Sequence, residues 1–113
     1  MTNCIARLRA HAFEQQNGQC CYCDYPMWID DCASHAQRYG ITVRQARQLE
    51  CTAEHLIACR DGGGSNSANV AAACLTCNRR RHARRHPKCA DQYQAFVRRR
   101  ISRGKWHRFR TSE

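Results

Sequence analysis

What this chain is short of narrows its possibilities before any motif is read. Its 113 residues hold two prolines, six glycines and three phenylalanines, and much of the apolar content is Ala and Cys. Large aliphatic side chains are sparse, and mean hydropathy is −0.76. One domain is the expectation at this length. A core so poor in volume usually needs a metal or disulfides as a staple. No window of the sequence approaches the roughly 18 uninterrupted apolar residues of a membrane span. The opening MTNCIARLRAHAF lacks the apolar stretch of a signal peptide, so a reducing cytoplasm is the expected compartment.

Acidic residues are short too, and unevenly so. Residues 78–113 carry thirteen Lys or Arg against Asp91 and Glu113, net +11, whereas the first 77 carry six Arg against seven acids, net −1. Cations at this density are the electrostatic footprint of nucleic-acid binding. The plainer reading is a solvated basic surface. A membrane surface fits less well, because no strongly apolar helix face is available for insertion.

Cysteine, by contrast, is abundant: ten of 113 residues. In a reducing compartment, clustered cysteines point to metal before disulfides. Cys20 with Cys23 and Cys74 with Cys77 form two C-x2-C pairs, with 50 residues between Cys23 and Cys74. A tight turn aims both thiolates of such a pair at one point, and two pairs complete a closed, structural Cys4 zinc site. Cys21 could replace Cys20, but with Cys23 it makes the poorer chelate. Neither pair opens a helix after a buried parallel strand, as a redox C-x-x-C would. Cys4, Cys32, Cys51, Cys59 and Cys89 have no partner at ligand spacing and read as small packed residues.

Periodicity places the elements around these pairs. Residues 3–16 read as a helix with Ile5, Leu8, Ala12 and Phe13 on one side, ended by Asn17-Gly18. Thr42 with Gln45 fits a capping box opening a short helix. Residues 51–57 suit a strand, 59–68 a loop and 69–73 a second strand or turn. A helix from about Leu75 to Arg85 should stop before Pro87. In DQYQAFVRRRISRG, Tyr93, Phe96, Val97 and Ile101 recur at helical spacing for core packing, and Gly104 reads as its C-cap. The stretch from Trp28 to Gln37 shows no clear pattern.

The segment EHLIACRDGGGSNSANVAAACLTCNRRRH resembles the HNH nuclease motif of the ββα-metal superfamily, in the form flanked by two zinc knuckles found in many bacterial and phage endonucleases. About 30 contiguous residues carry the likeness, and QCCYC upstream extends it. The resemblance implies a small α+β fold: two short antiparallel strands, a loop and a helix gripping a divalent ion, stapled by the Cys4 site and flanked by helices, the last of them basic. It implies that His55 is the general base, that Asn69 holds the His55 imidazole by a hydrogen bond, and that Glu54, Asn78 and His82 ligate the catalytic metal. Hard oxygen donors suit Mg²⁺ or Mn²⁺, and imidazole widens the choice to another divalent transition metal. Four positions depart from the commoner pattern: Glu54 replaces Asp, Ala58 replaces Pro, Asn78 replaces His and Arg81 replaces Lys. His86, before Pro87, reads as a surface histidine.

The expected organisation is one HNH domain over 1–113: an N-terminal helix (1–19), a first knuckle with a helical insert (20–50), the ββα-metal core with the second knuckle (51–86), and a basic helix and tail (87–113). The expected activity is metal-dependent hydrolysis of phosphodiester bonds in DNA with limited sequence preference, in a bacterial cytoplasm or phage-infected host, as monomer or homodimer. RNA cleavage, or zinc-dependent DNA binding without catalysis, are the alternatives. Arg79, Arg80, Arg81, Arg84, Arg85, Arg98, Arg99, Arg100, Arg103 and Lys105 are the expected phosphate contacts, and KWHRFR is expected to add stacking or minor-groove contacts. Neighbouring strand residues point to opposite faces. Glu54 and His55 therefore serve one site only if the strand end twists, or if one of them uses its backbone carbonyl.

Overall fold

The computed structural model describes residues 4–112. Residues 1–3 and 113, which include the expected first residue of the N-terminal helix, lie outside them. Helix α1 (Cys4–Gln15) precedes the first knuckle, and an insert holds α2 (Cys32–Tyr39) and α3 (Val43–Arg47). Strands β1 (Cys51–His55) and β2 (Val70–Cys74) follow, then α4 (Leu75–His82) and α5 (Ala90–Ser102). The architecture is small α+β around one two-stranded antiparallel sheet. Among the described residues no helix is long and apolar enough to cross a membrane.

The register of the sheet sets the site. Cys51 faces Cys74 at one end of the ladder and His55 faces Val70 at the other. The outer edge of β2 is not left bare. The Gln16 side chain accepts from Ala72 N and donates to Ala72 O, both at 2.9 Å, and Cys21 N donates to the same carbonyl at 3.0 Å. One glutamine at the end of α1 thus caps an exposed strand edge and fixes the first knuckle beside β2. Chain direction then changes without a loop: Cys74 ends β2 and is also the N-cap of α4.

The core holds few large side chains. Tyr22, Leu49 and Val97 are fully buried, among Ala72, Ala73 and buried cysteines. Thr42 and Gln45 close both hydrogen bonds of the capping box of α3 at 3.0 Å. Helix α2 was not expected: its N-cap Asp31 accepts from Ser34 N at 3.0 Å. Helix α4 stops at His82, three residues earlier than Pro87 alone requires. Arg81 is the reason, since its Nε donates to Lys88 O at 3.2 Å and draws the following chain back over the helix.

The tail corrects a second expectation. Trp106 and His107 are buried, not presented to a ligand. Residues 105–112 form a strap across the fold. Tyr25 Oη donates to Phe109 O at 2.8 Å, and Ser112 N donates to Tyr39 O at 2.9 Å. A chain short of aromatic volume buries Trp106 and leaves Trp28 half-buried.

Candidate functional site

The two C-x2-C pairs meet at the Cys51–Cys74 end of the sheet. Cys20, Cys23, Cys74 and Cys77 are all buried, and their sulfurs lie within 4.8 Å of one another. Cys20 occupies the cluster, and Cys21 instead turns its backbone to β2. The Cys23 and Cys74 sulfurs are 3.9 Å apart. Tetrahedral zinc with bonds of roughly 2.3 Å spaces its sulfurs by about 3.8 Å, so the cluster suits such an ion with a contraction of at most about 1 Å. All ten cysteines are free of disulfides.

Every sulfur of the cluster also meets a hydrogen-bond donor. Tyr22 N and Cys74 N donate to Cys20 Sγ at 3.4 and 3.3 Å, and Cys77 N donates to Cys74 Sγ at 3.4 Å. From the strap, Trp106 Nε1 donates to Cys77 Sγ, and His107 Nε2 meets Cys23 Sγ, both at 3.3 Å. Hydrogen bonds from Cys21 and the three other cluster cysteines hold Cys20 far below the ordinary thiol range, while those from Cys20 hold Cys23 and Cys77 above it. Thiolates are what bind such an ion, so metal binding at a cluster of this kind releases protons. Burial, with Arg80 adding to it, pushes the His107 imidazole down to about 4, so the ring is neutral. These donors orient metal ligands rather than supply them. Trp106 and His107 were missed in the sequence, where only the shortage of core aromatics hinted at them.

At the other end of the sheet the strand splits its two residues between faces. Glu54 points inward and is 1% exposed. Its Oε2 accepts from Tyr22 Oη at 2.7 Å and from an Arg81 guanidinium nitrogen at 3.0 Å, and its Oε1 lies 2.8 Å from His82 Nε2. This is a buried ion pair with both carboxylate oxygens engaged. The role expected of Arg81 is corrected. At 5% exposure it cannot meet a nucleic-acid phosphate. It also donates to the carbonyls of His55, Leu56 and Lys88 at 3.2, 3.0 and 3.2 Å, so each of its three nitrogens is engaged within the fold. Burial works to lower the Arg81 pKa, but the Glu54 hydrogen bond and charge outweigh it and raise the net value. Burial, then Glu54, pushes the Tyr22 phenol up.

His55 points the other way, with a half-buried ring whose Nε2 lies 3.0 Å from Ser65 Oγ. Ser65 was not foreseen, for a serine in a glycine-rich loop carries no signal of its own. Asn69 does not bond the imidazole, and this too is a correction. Its Oδ1 accepts from Ile57 N at 2.8 Å, and its Nδ2 donates to Ile57 O at 3.0 Å and to Gly64 O at 2.8 Å. Asn69 thus clamps the loop that follows His55 and carries Ser65. Gly63 makes the clamp fit, because a Cβ there would lie 1.7 Å from Ile57 O. Asn78 spends its Nδ2 on Thr52 Oγ1 at 3.0 Å and Ala53 O at 3.2 Å, so its amide braces α4 against β1 and leaves Oδ1 outside both bonds.

Of the remaining cations, Arg79, Arg80, Arg84, Arg85, Arg98, Arg99, Arg100, Arg103 and Lys105 are exposed. Arg98 pairs with Asp24 at 3.2 Å. Arg80, Arg84, Arg100 and Lys105 gather around one cleft, whose wall also includes Arg81. Compared with models of protein families, with curated proteins and with solved structures, the chain gave no match in any of the three.

Proposed function

We propose that this chain is a metal-dependent endonuclease of the HNH type, hydrolysing phosphodiester bonds in DNA, with a structural zinc in the four-cysteine cluster. The observation that carries the reading is the pairing of Glu54 Oε1 with His82 Nε2 at 2.8 Å, one strand position from a His55 ring turned out of the core. Two ligands held about 2.1 Å from one ion at right angles are about 3.0 Å apart. The pair therefore suits a divalent ion taking the place of the shared proton, and Asn78 Oδ1, outside the two Nδ2 bonds of that amide, is the candidate third ligand. A bound Mg²⁺, Mn²⁺ or similar ion supplies charge that polarises the phosphate and the leaving oxygen.

The chain's own residues do the rest. His55 takes the proton of the attacking water as general base, an assignment that suits imidazole at neutral pH. Ser65 fixes the rotation of its ring, and Asn69 holds the loop that brings Ser65 there. Tyr22 and Arg81 hold Glu54 by Oε2 alone, so Oε1 keeps a fixed direction. The ten free cysteines suit a reducing cytoplasm.

One observation favours a second reading, zinc-dependent DNA binding without catalysis: the Glu54–Arg81–Tyr22 cluster is satisfied with no ion. Nicking of supercoiled plasmid in Mg²⁺, Mn²⁺ or Ni²⁺, with an RNA substrate alongside, separates the two. His55→Ala should cut the rate by about 10²–10⁴ with folding and DNA binding kept. Full activity in that variant removes His55 as base, and no nicking in any metal leaves the binding reading.

A further inference from the structure

We infer that the cleft between α4, α5 and the C-terminal strap is a binding site for two or more adjacent phosphate groups, its wall shared with the His55 end of the sheet only through Arg81. Its volume is about 560 Å³. Seven cations line it: Arg80 and the buried Arg81 on α4, Arg84 just beyond it, Lys88 before α5, Arg100 on α5, and Lys105 and Arg108 on the strap. Among the described residues no aspartate or glutamate lines it, and of the seven cations only Arg81 forms an ion pair, with Glu54.

Two features separate this cleft from a merely solvated basic face. First, the cations are held. Arg80 lies 4.6 Å over the Trp106 ring and donates to Trp106 O at 3.2 Å, and Lys88 lies 4.7 Å over Phe96. The rings serve as seats for cations, which leaves the charged heads, not aromatic faces, toward an occupant. Second, like charges around one concave wall repel each other, and protein walls focus that field. With no carboxylate to offset it, a multivalent anion is the natural complement. Guanidinium forks match phosphate oxygens in pairs, which favours phosphate over a diffuse charge.

Adjacent phosphates come from a nucleic-acid strand or from free polyphosphate, and only the first source rests on the proposed function. Calorimetry on the full chain with its metal would use tripolyphosphate, an oligothymidylate of about eight nucleotides, and polyglutamate as a non-phosphate anion. The pocket variant is Arg84→Gln with Arg108→Gln. The control, Arg99→Gln with Arg103→Gln, removes equal charge from outside the cleft. The pocket variant should lose about tenfold or more in phosphate affinity, the control less than about threefold, and the oligonucleotide's salt slope should fall by about 1.4 in the former. Tighter tripolyphosphate binding assigns the site to free polyphosphate, and tighter oligonucleotide binding to a strand.

Equal losses in the two variants, binding of polyglutamate as tight as that of tripolyphosphate, or no binding of either phosphate probe would overturn the site. Phosphate binding that persists in protein unable to nick plasmid keeps the site and removes the nuclease reading. Should the pocket variant lose its metal or fold, Lys88→Gln with Lys105→Gln carries the same comparison.

Discussion

At the Cys51–Cys74 end of the β1–β2 ladder the four sulfurs are buried, and each has a hydrogen-bonding contact from a knuckle or from the strap. At the His55–Val70 end one residue turns in and its neighbour turns out. Glu54 is tied to Tyr22, Arg81 and His82, while His55 touches a serine of a glycine-rich loop. The same five-residue strands thus support a closed centre and an open one. The closed end gathers distant segments, namely the first knuckle, α4 and the strap, around one point. The open end keeps a polar ring out of the core and fixes it through backbone clamps. Tyr22 joins the two, since it lies between the ligand pair Cys20 and Cys23 and donates to Glu54.

If the closed end carries the fold, emptying it should have the largest effect. Strong chelation, or Cys74→Ser, is expected to abolish cooperative unfolding, because structural zinc contributes on the order of 10–16 kcal/mol in small metal-stapled domains. Circular dichroism and Trp fluorescence against chelator concentration measure it. A chelated protein with native spectra would break the comparison at its strongest point.

Glu54 tests the inward half of the open end. Removing one member of a buried pair leaves an uncompensated charge, at about 3–5 kcal/mol. Glu54→Gln and Arg81→Met should each destabilise by about that much, and the double variant by much less than their sum. Denaturant melts of all four proteins close the cycle. Additive losses would mean that Glu54 and Arg81 contribute separately, and that Glu54 is held by Tyr22 and His82 alone.

How much of this was legible in the sequence follows the range of each interaction. The capping box at Thr42 and Gln45, the two C-x2-C turns and the apolar spacing of α5 are local patterns, and each was readable. Helix α2 was not, because only His35 and Ala36 of its eight residues are buried, which leaves no apolar period to see. The strand spacing put Glu54 and His55 on opposite faces, but nothing local says which faces in. That choice is made by Arg81, 27 residues on, and by Tyr22, 32 residues back. The Asn69 clamp escaped notice for a related reason: an asparagine after a glycine-rich loop bonds either a side chain or the loop's backbone, and only the loop path decides. Arg81 read as one more cation in NRRRH, because sequence gives charge but not burial.

The strap offers a finer cut. Trp106→Phe keeps nearly all the packing against Tyr93 and Phe96 but deletes the donor to Cys77 Sγ. The expected loss is about 1 kcal/mol of stability and about 10–100-fold in metal affinity, as for other groups that orient ligands. Competition with a metal indicator reads the second quantity. Unchanged metal affinity would reduce the strap to a packing element and confine the closed end to its four sulfurs.

The smallest expected effect lies away from both ends and calibrates them. His35 in α2 is 8% exposed, and its Nε2 contacts Pro26 O at 3.0 Å. Burial lowers its imidazole below the ordinary value of 6.5; the Pro26 contact opposes that shift and Arg38 adds to it. Below pH 6.5 the unfolded chain therefore takes a proton that the folded chain resists. The unfolded state binds more protons there, so stability falls as pH falls from 6.5 towards the lowered folded value, and this contribution is flat above 6.5. His35→Gln should lessen the drop in melting temperature between pH 7.5 and 5.5 without changing the midpoint at pH 7.5 by more than the lost contact. The slope that remains belongs to other groups, the four-cysteine cluster among them, because protons compete with an ion for thiolate ligands. An unaltered slope would mean that the burial of His35 carries none of the acid sensitivity, and would leave the closed end as the first place to look for it.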